Sequence, residues 1–138
     1  MDQPSDERTL HERVGGLPAF IELVDRFYDR VEADPVLRPV YPDDLGPGKT
    51  ALAEFFSQYW GGPPVYSQTR GHPRLRRRHN AFTVTPQGAQ RWIANMTDAI
   101  RSMGWPDDIE SAFVGYVVTF APQMINAHEV PDRPLPLA

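Results

Sequence analysis

The chain has 138 residues, 41% apolar and 11% aromatic, with no cysteine and a net charge of −4. That length suits one domain able to bury its own core, and the lack of cysteine excludes disulfides, thiolate metal sites, a sulfur-held cofactor and a cysteine nucleophile together. No stretch approaches the roughly 20 apolar residues of a membrane helix, and the acidic start Met1-Asp2-Gln3-Pro4-Ser5-Asp6-Glu7 is unlike a signal peptide, so a cytoplasmic location is expected.

Loose tails are expected over residues 1–8 and 130–138, leaving one domain over 9–129. Between the tails the apolar spacing is helical and no alternating strand pattern occurs, so the fold class is all-α. A short helix is predicted over 9–14, stopped at Gly15-Gly16. From 17 to about 33, Phe20, Leu23, Val24, Phe27 and Val31 recur at three- and four-residue steps and form one buried face, with Tyr28 at its edge. Asp34-Pro35 reads as an N-cap followed by proline at the first helical position, opening a short helix that ends near Tyr41-Pro42.

After a loop over 43–47, a helix from about 48 to 60 turns Leu52, Phe55, Phe56, Tyr59 and Trp60 inward, and Gly61-Gly62-Pro63-Pro64 terminates it. Residues 65–71 lack a clear period and are predicted as loop, followed by a two-turn helix over about 74–80 behind Pro73. Thr85-Pro86 is a second cap pair and opens a helix to about 103, with Trp92, Ile93, Met96, Ile100 and Met103 on one stripe. The last helix starts near Trp105-Pro106, carries Ile109, Phe113, Tyr116, Val117, Phe120 and Met124, and is kinked by Pro122. Gly46 to Thr50 has the look of the end of a phosphate loop, but the first glycine and the preceding strand are missing.

The charge is unevenly placed. Residues 70–78 hold five of the fourteen basic residues and no acid, so the rest of the chain carries nine basic against eighteen acidic residues, or −9. One short positive segment suits a small anionic ligand or a local ion-pair partner better than a long nucleic acid. A broken, basic, aromatic-flanked middle is more than a bare helical bundle needs, and a bulky central ligand would account for it.

Tyr59-Trp60-Gly61-Gly62-Pro63, Tyr66-Ser67, Arg70-Gly71-His72-Pro73 and Leu75-Arg76-Arg77-Arg78-His79 together resemble the truncated haemoglobins of group II, the O-type subfamily. The resemblance extends from Val14-Gly15-Gly16 through Arg26-Phe27-Tyr28, Asp34-Pro35-Val36-Leu37-Arg38 and Tyr41-Pro42 to Trp92. It implies a shortened globin fold, a two-over-two helical sandwich around haem b, with His79 as the proximal iron ligand. Read without the resemblance, a histidine behind three arginines is part of a solvated basic face. His72, seven residues earlier but separated by Pro73, is read as structural rather than as a second ligand.

The resemblance also implies a distal set of Tyr28, Tyr41 and Trp92, whose O–H and N–H groups would face an iron-bound ligand that gains negative character. The competing reading makes them core residues with satisfied polar tips. Leu52 and Phe55 would face the haem, and Gly48 would stand where other globins place a gate residue, leaving access open. Arg76 and Arg78, with Tyr66 as a hydroxyl donor, match haem propionates in chemistry, and simple surface exposure is the alternative for each. Ala81 departs from the usual proline, and the Gly46-Pro47-Gly48 start of the distal helix is unusual.

The expected function is binding of dioxygen, with carbon monoxide, nitric oxide or peroxide as further ligands, for redox chemistry or sensing rather than bulk oxygen transport. The expected partners are a diatomic ligand, a reductase and a second copy in a homodimer, with neither nucleic acid nor membrane. The rival is a non-enzymatic helical module that binds an anionic partner through Arg70 to Arg78.

Overall fold

The computed structural model describes residues 8–70 and 85–124. These residues form α1 (Leu10–Val14), α2 (Leu17–Ala33), a 3-10 turn (Arg38–Val40), α3 (Gly46–Tyr59), α4 (Val65–Arg70), α5 (Pro86–Ser102), α6 (Asp107–Phe120) and a closing 3-10 turn (Ala121–Met124). No strand occurs among the described residues. Helix α2 packs on α3 and on α5, and α5 packs on α6, which gives the two pairs of a two-over-two helical sandwich. The predicted helix over 74–80 lies outside the described residues.

The caps form where short polar side chains precede the apolar runs. Thr9 Oγ1 accepts from Glu12 N at 3.1 Å and Thr85 Oγ1 from Gly88 N at 2.9 Å, each meeting one orphan donor of a first turn. The α2 stripe is wholly buried, with Phe20, Leu23, Phe27 and Val31 at 0% exposure. Phe56 and Phe113 meet edge to face at 5.0 Å in the same core, joined by Met96 and Ile100. Pro122 follows the last α-helical turn, and the helix tightens to 3-10 at Ala121–Met124, because proline has no N–H for the i−4 carbonyl and its ring crowds it.

Three predicted elements differ from the structure. Of the stretch predicted as loop, Val65–Arg70 is helical. Gln58 holds this turn from outside: its Oε1 accepts from Ser67 N at 2.9 Å and its Nε2 donates to Ser67 Oγ at 2.8 Å, while Tyr66 is buried against Phe55. A six-residue helix held by tertiary contacts carries too few turns to show a period. Helix α3 starts at Gly46 rather than 48, where Asp44 Oδ1 accepts from Gly46 N at 3.0 Å. The segment after Asp34-Pro35 is regular only over Arg38–Val40.

Tyr59 is also not inward. It lies on the last turn of α3, 50% exposed, with one ring face on Tyr116 at 4.1 Å. The turn beyond α3 is closed by two glycines. Gly61 has φ +105°, and a Cβ there would stand 2.6 Å from Thr9 Cβ. A Cβ at Gly62 would stand 2.5 Å from the His11 ring. The start of α1 thus lies directly on this turn, and His11 N donates to Trp60 O at 3.0 Å.

Candidate functional site

Three of the predicted site residues meet where α2, the Arg38–Val40 turn and α5 converge. Tyr28 lies on α2, one residue after Phe27 in the apolar stripe, and is 4% exposed. Tyr41 follows the 3-10 turn directly, and its ring meets Tyr28 edge to face at 5.6 Å. Trp92 sits in the second turn of α5, half-buried, with its ring 5.3 Å from Phe27. The Trp92 side chain lies near enough to the Tyr41 hydroxyl to favour its ionised form slightly.

Burial changes the acid–base character of these groups. Desolvation pushes the Tyr28 hydroxyl up to about 12. Tyr41 is raised further, first by desolvation and then by the Tyr28 charge, against which the neighbouring Trp92 side chain acts weakly. Both phenols are therefore neutral O–H donors at neutral pH. The Lys49 ammonium lies 5.9 Å from the Tyr28 ring centroid and 3.7 Å from Asp25 Oδ1, a cation on the outer side of the same ring.

Helix α3 supplies the facing wall. Gly48, Leu52 and Phe55 follow at helical spacing, and a Cβ at Gly48 would stand 2.9 Å from the Tyr28 hydroxyl oxygen. The Tyr28 hydroxyl lies in the room left by this glycine. Leu52 is half-buried against the core and Phe55 is 6% exposed. Phe55 in turn meets Tyr66 of α4 edge to face at 5.7 Å. The remaining predicted residues, Arg76, Arg78 and His79, lie outside the described residues, as does His72.

Sequence reasoning missed one cluster behind the tyrosines and the indole. Asp34, whose side chain is 2% exposed, accepts at Oδ1 from Val36 N at 2.8 Å and Leu37 N at 3.3 Å. Its Oδ2 accepts from Arg91 Nε at 2.9 Å and Asn95 Nδ2 at 2.7 Å. Burial would raise this carboxyl, but the hydrogen bonds from Asn95, Val36, Arg91 and Leu37 together hold it below the usual carboxylate range. The signal for its capping half is the Asp-Pro pair. No short-range pattern marks its partners, 57 and 61 residues away.

The bacterial-like globin profile matches residues 9–126. The group 2 truncated hemoglobin YjbI of Bacillus subtilis is 39% identical over 112 residues, covering 81% of this chain and 85% of that protein. Among solved structures, the hemoglobin of the thermophilic phototroph Chloroflexus aurantiacus superposes with a TM-score of 0.85 at 44% identity, over 88% of this chain and all of that one. The group II truncated hemoglobin of Bacillus anthracis gives 0.85 at 34% identity, over 95% and 98% of the two chains. The chain belongs to the bacterial-like globins and, among them, to the group II truncated haemoglobins.

That family binds diatomic gases at haem, and the donor set described above fits such a use. Two desolvated phenols and an indole, packed together beside an apolar helix face, are matched to a small ligand that gains negative charge. The alternative of an anion-binding helical module finds no support among these relatives. No helix among the described residues is long and apolar enough to cross a membrane.

Proposed function

We propose that the protein holds haem b with His79 as proximal ligand and binds dioxygen beneath Tyr28, Tyr41 and Trp92. The convergence of these three polar tips from α2, the following turn and α5 carries the reading. Leu52 and Phe55 give the haem an apolar wall from α3, and Arg76, Arg78 and Tyr66 are the groups for its propionates. Haem supplies an iron atom that takes the gas, while the protein decides how long the ligand stays.

Several neutral donors near one ligand position slow its release. Slow release suits sensing, scavenging or redox chemistry with oxygen, nitric oxide or peroxide better than bulk transport. Turnover in such chemistry needs electrons, and a separate cytoplasmic reductase is the partner proposed, with a homodimer as the assembly. Stopped-flow dioxygen dissociation from haem-loaded Tyr28→Phe, Tyr41→Phe and Trp92→Phe tests the assignment. Each should release dioxygen faster than the parent, and a residue whose replacement leaves the rate unchanged leaves the donor set.

A further inference from the structure

The Asp34 carboxylate is the buried charge that the ligand-binding reading does not use. It stands at the end of α2, six residues beyond Tyr28, and reaches both other elements that deliver donors. Through Oδ1 it receives the N–H groups of Val36 and Leu37, while its own carbonyl accepts from Arg38 N at 2.9 Å. That fixes the start of the turn that ends in Tyr41. Arg38 fastens the far end, donating to the carbonyls of Tyr41 at 3.4 Å, Pro42 at 3.1 Å and Asp43 at 3.2 Å. Through Oδ2, Asp34 receives Arg91, the residue before Trp92, and Asn95, which lies one turn beyond Arg91 and donates back to the Arg91 carbonyl at 2.8 Å.

We infer that Asp34 is a positioning residue for the distal pocket, one carboxylate that sets Tyr41 and Trp92 against each other through two separate chain segments. The inference rests on the donor roles proposed above. Each Asp34 oxygen serves one segment, so the two can be separated chemically. Asparagine at this position keeps an oxygen for Val36 and Leu37 but turns an N–H₂ group toward Arg91 and Asn95, which are themselves donors. The turn then keeps its cap while α5 loses its acceptor. Arg91, with 48% of its side chain exposed, is the milder half of the pair to change.

The test uses full-length, haem-loaded protein with carbon monoxide bound, and reads the C–O stretching band, the dioxygen dissociation rate and the melting temperature. Asp34→Asn and Arg91→Gln should both shift or split the band and speed dioxygen release by about threefold or more, the scale of a weakened hydrogen bond. Asp34→Asn placed on Trp92→Phe should add little to Trp92→Phe alone. Arg13→Gln, which breaks the surface pair with Asp108 at 2.6 Å, is the structural control and should leave the band where it is. If Asp34→Asn fails to fold, Arg91→Gln carries the test. Folded variants with band and rate unmoved, in a protein whose band does respond to Trp92→Phe, would overturn the positioning role alone. A band that Trp92→Phe also leaves unmoved would overturn the donor reading and the inference with it.

Discussion

Gly48 and Tyr28 occupy one space: a Cβ on residue 48 would come within 2.9 Å of the Tyr28 hydroxyl oxygen. A side chain at position 48 would have to displace the outer end of the Tyr28 phenol. The phenol is buried between α2 and α3 and rests against the bare backbone at position 48.

Gly48→Ala should therefore displace the Tyr28 hydroxyl and speed dioxygen dissociation by about three- to tenfold, as for a hydrogen bond weakened but not deleted. In a Tyr28→Phe background the same substitution should do nothing further to the rate, because the oxygen it meets is gone. Rapid-mixing measurements on the four proteins of this cycle decide the matter, and additive effects would mean that the two residues act apart.

Tyr28 should remain a donor well into alkaline solution. Its hydroxyl is raised to about 12 by burial, above the ordinary value of 10.0, so its contribution to stability is complete below pH 10 and is lost between 10 and 12. Dioxygen dissociation measured from pH 7 to 9.5 should show no step from this group. A rise in rate centred below pH 9 would mean that the phenol is not desolvated as the structure has it.

Asp34 has the opposite sign. Its carboxyl is held low in the folded protein, so the stability it contributes is present above the unfolded value of about 3.9 and lost as pH falls through the folded value. Thermal melts between pH 6 and 3 should show the parent losing more stability than Asp34→Asn over this window. Parallel losses in the two proteins would remove Asp34 from the acid response.

Phe113 lies at the centre of the aromatic core, with rings of Phe56 at 5.0 Å, Trp60 at 5.3 Å, Trp105 at 5.8 Å and Phe20 at 6.3 Å. Phe113→Ala should cost about 3–5 kcal/mol in urea unfolding, since four rings from three parts of the chain cannot all collapse onto the cavity. A loss below about 1 kcal/mol would show that the core relaxes freely there.

The long helices were legible because their burial follows the 3.6-residue period, as Phe20, Leu23, Phe27 and Val31 show. Helix α4 was not, because it depends on Gln58 reaching Ser67 and on Tyr66 finding Phe55, contacts across the turn that no local pattern encodes. Tyr28, Tyr41 and Trp92 stand out only through the family resemblance, since their spacing alone equally fits ordinary core residues. The sequence shows that Gly48 lacks a side chain but not that the Tyr28 hydroxyl lies beside it. Asp34 reads in the sequence as a cap, and no local pattern links it to Arg91 and Asn95.

The central claim, that this chain binds haem through His79 and presents Tyr28, Tyr41 and Trp92 to the bound gas, is tested most directly by titrating the purified protein with haem. One equivalent should give a sharp Soret band that shifts on reduction and on addition of carbon monoxide, and His79→Ala should lose or displace it. A protein that stays colourless with haem present, or whose band is indifferent to His79→Ala, would contradict the account.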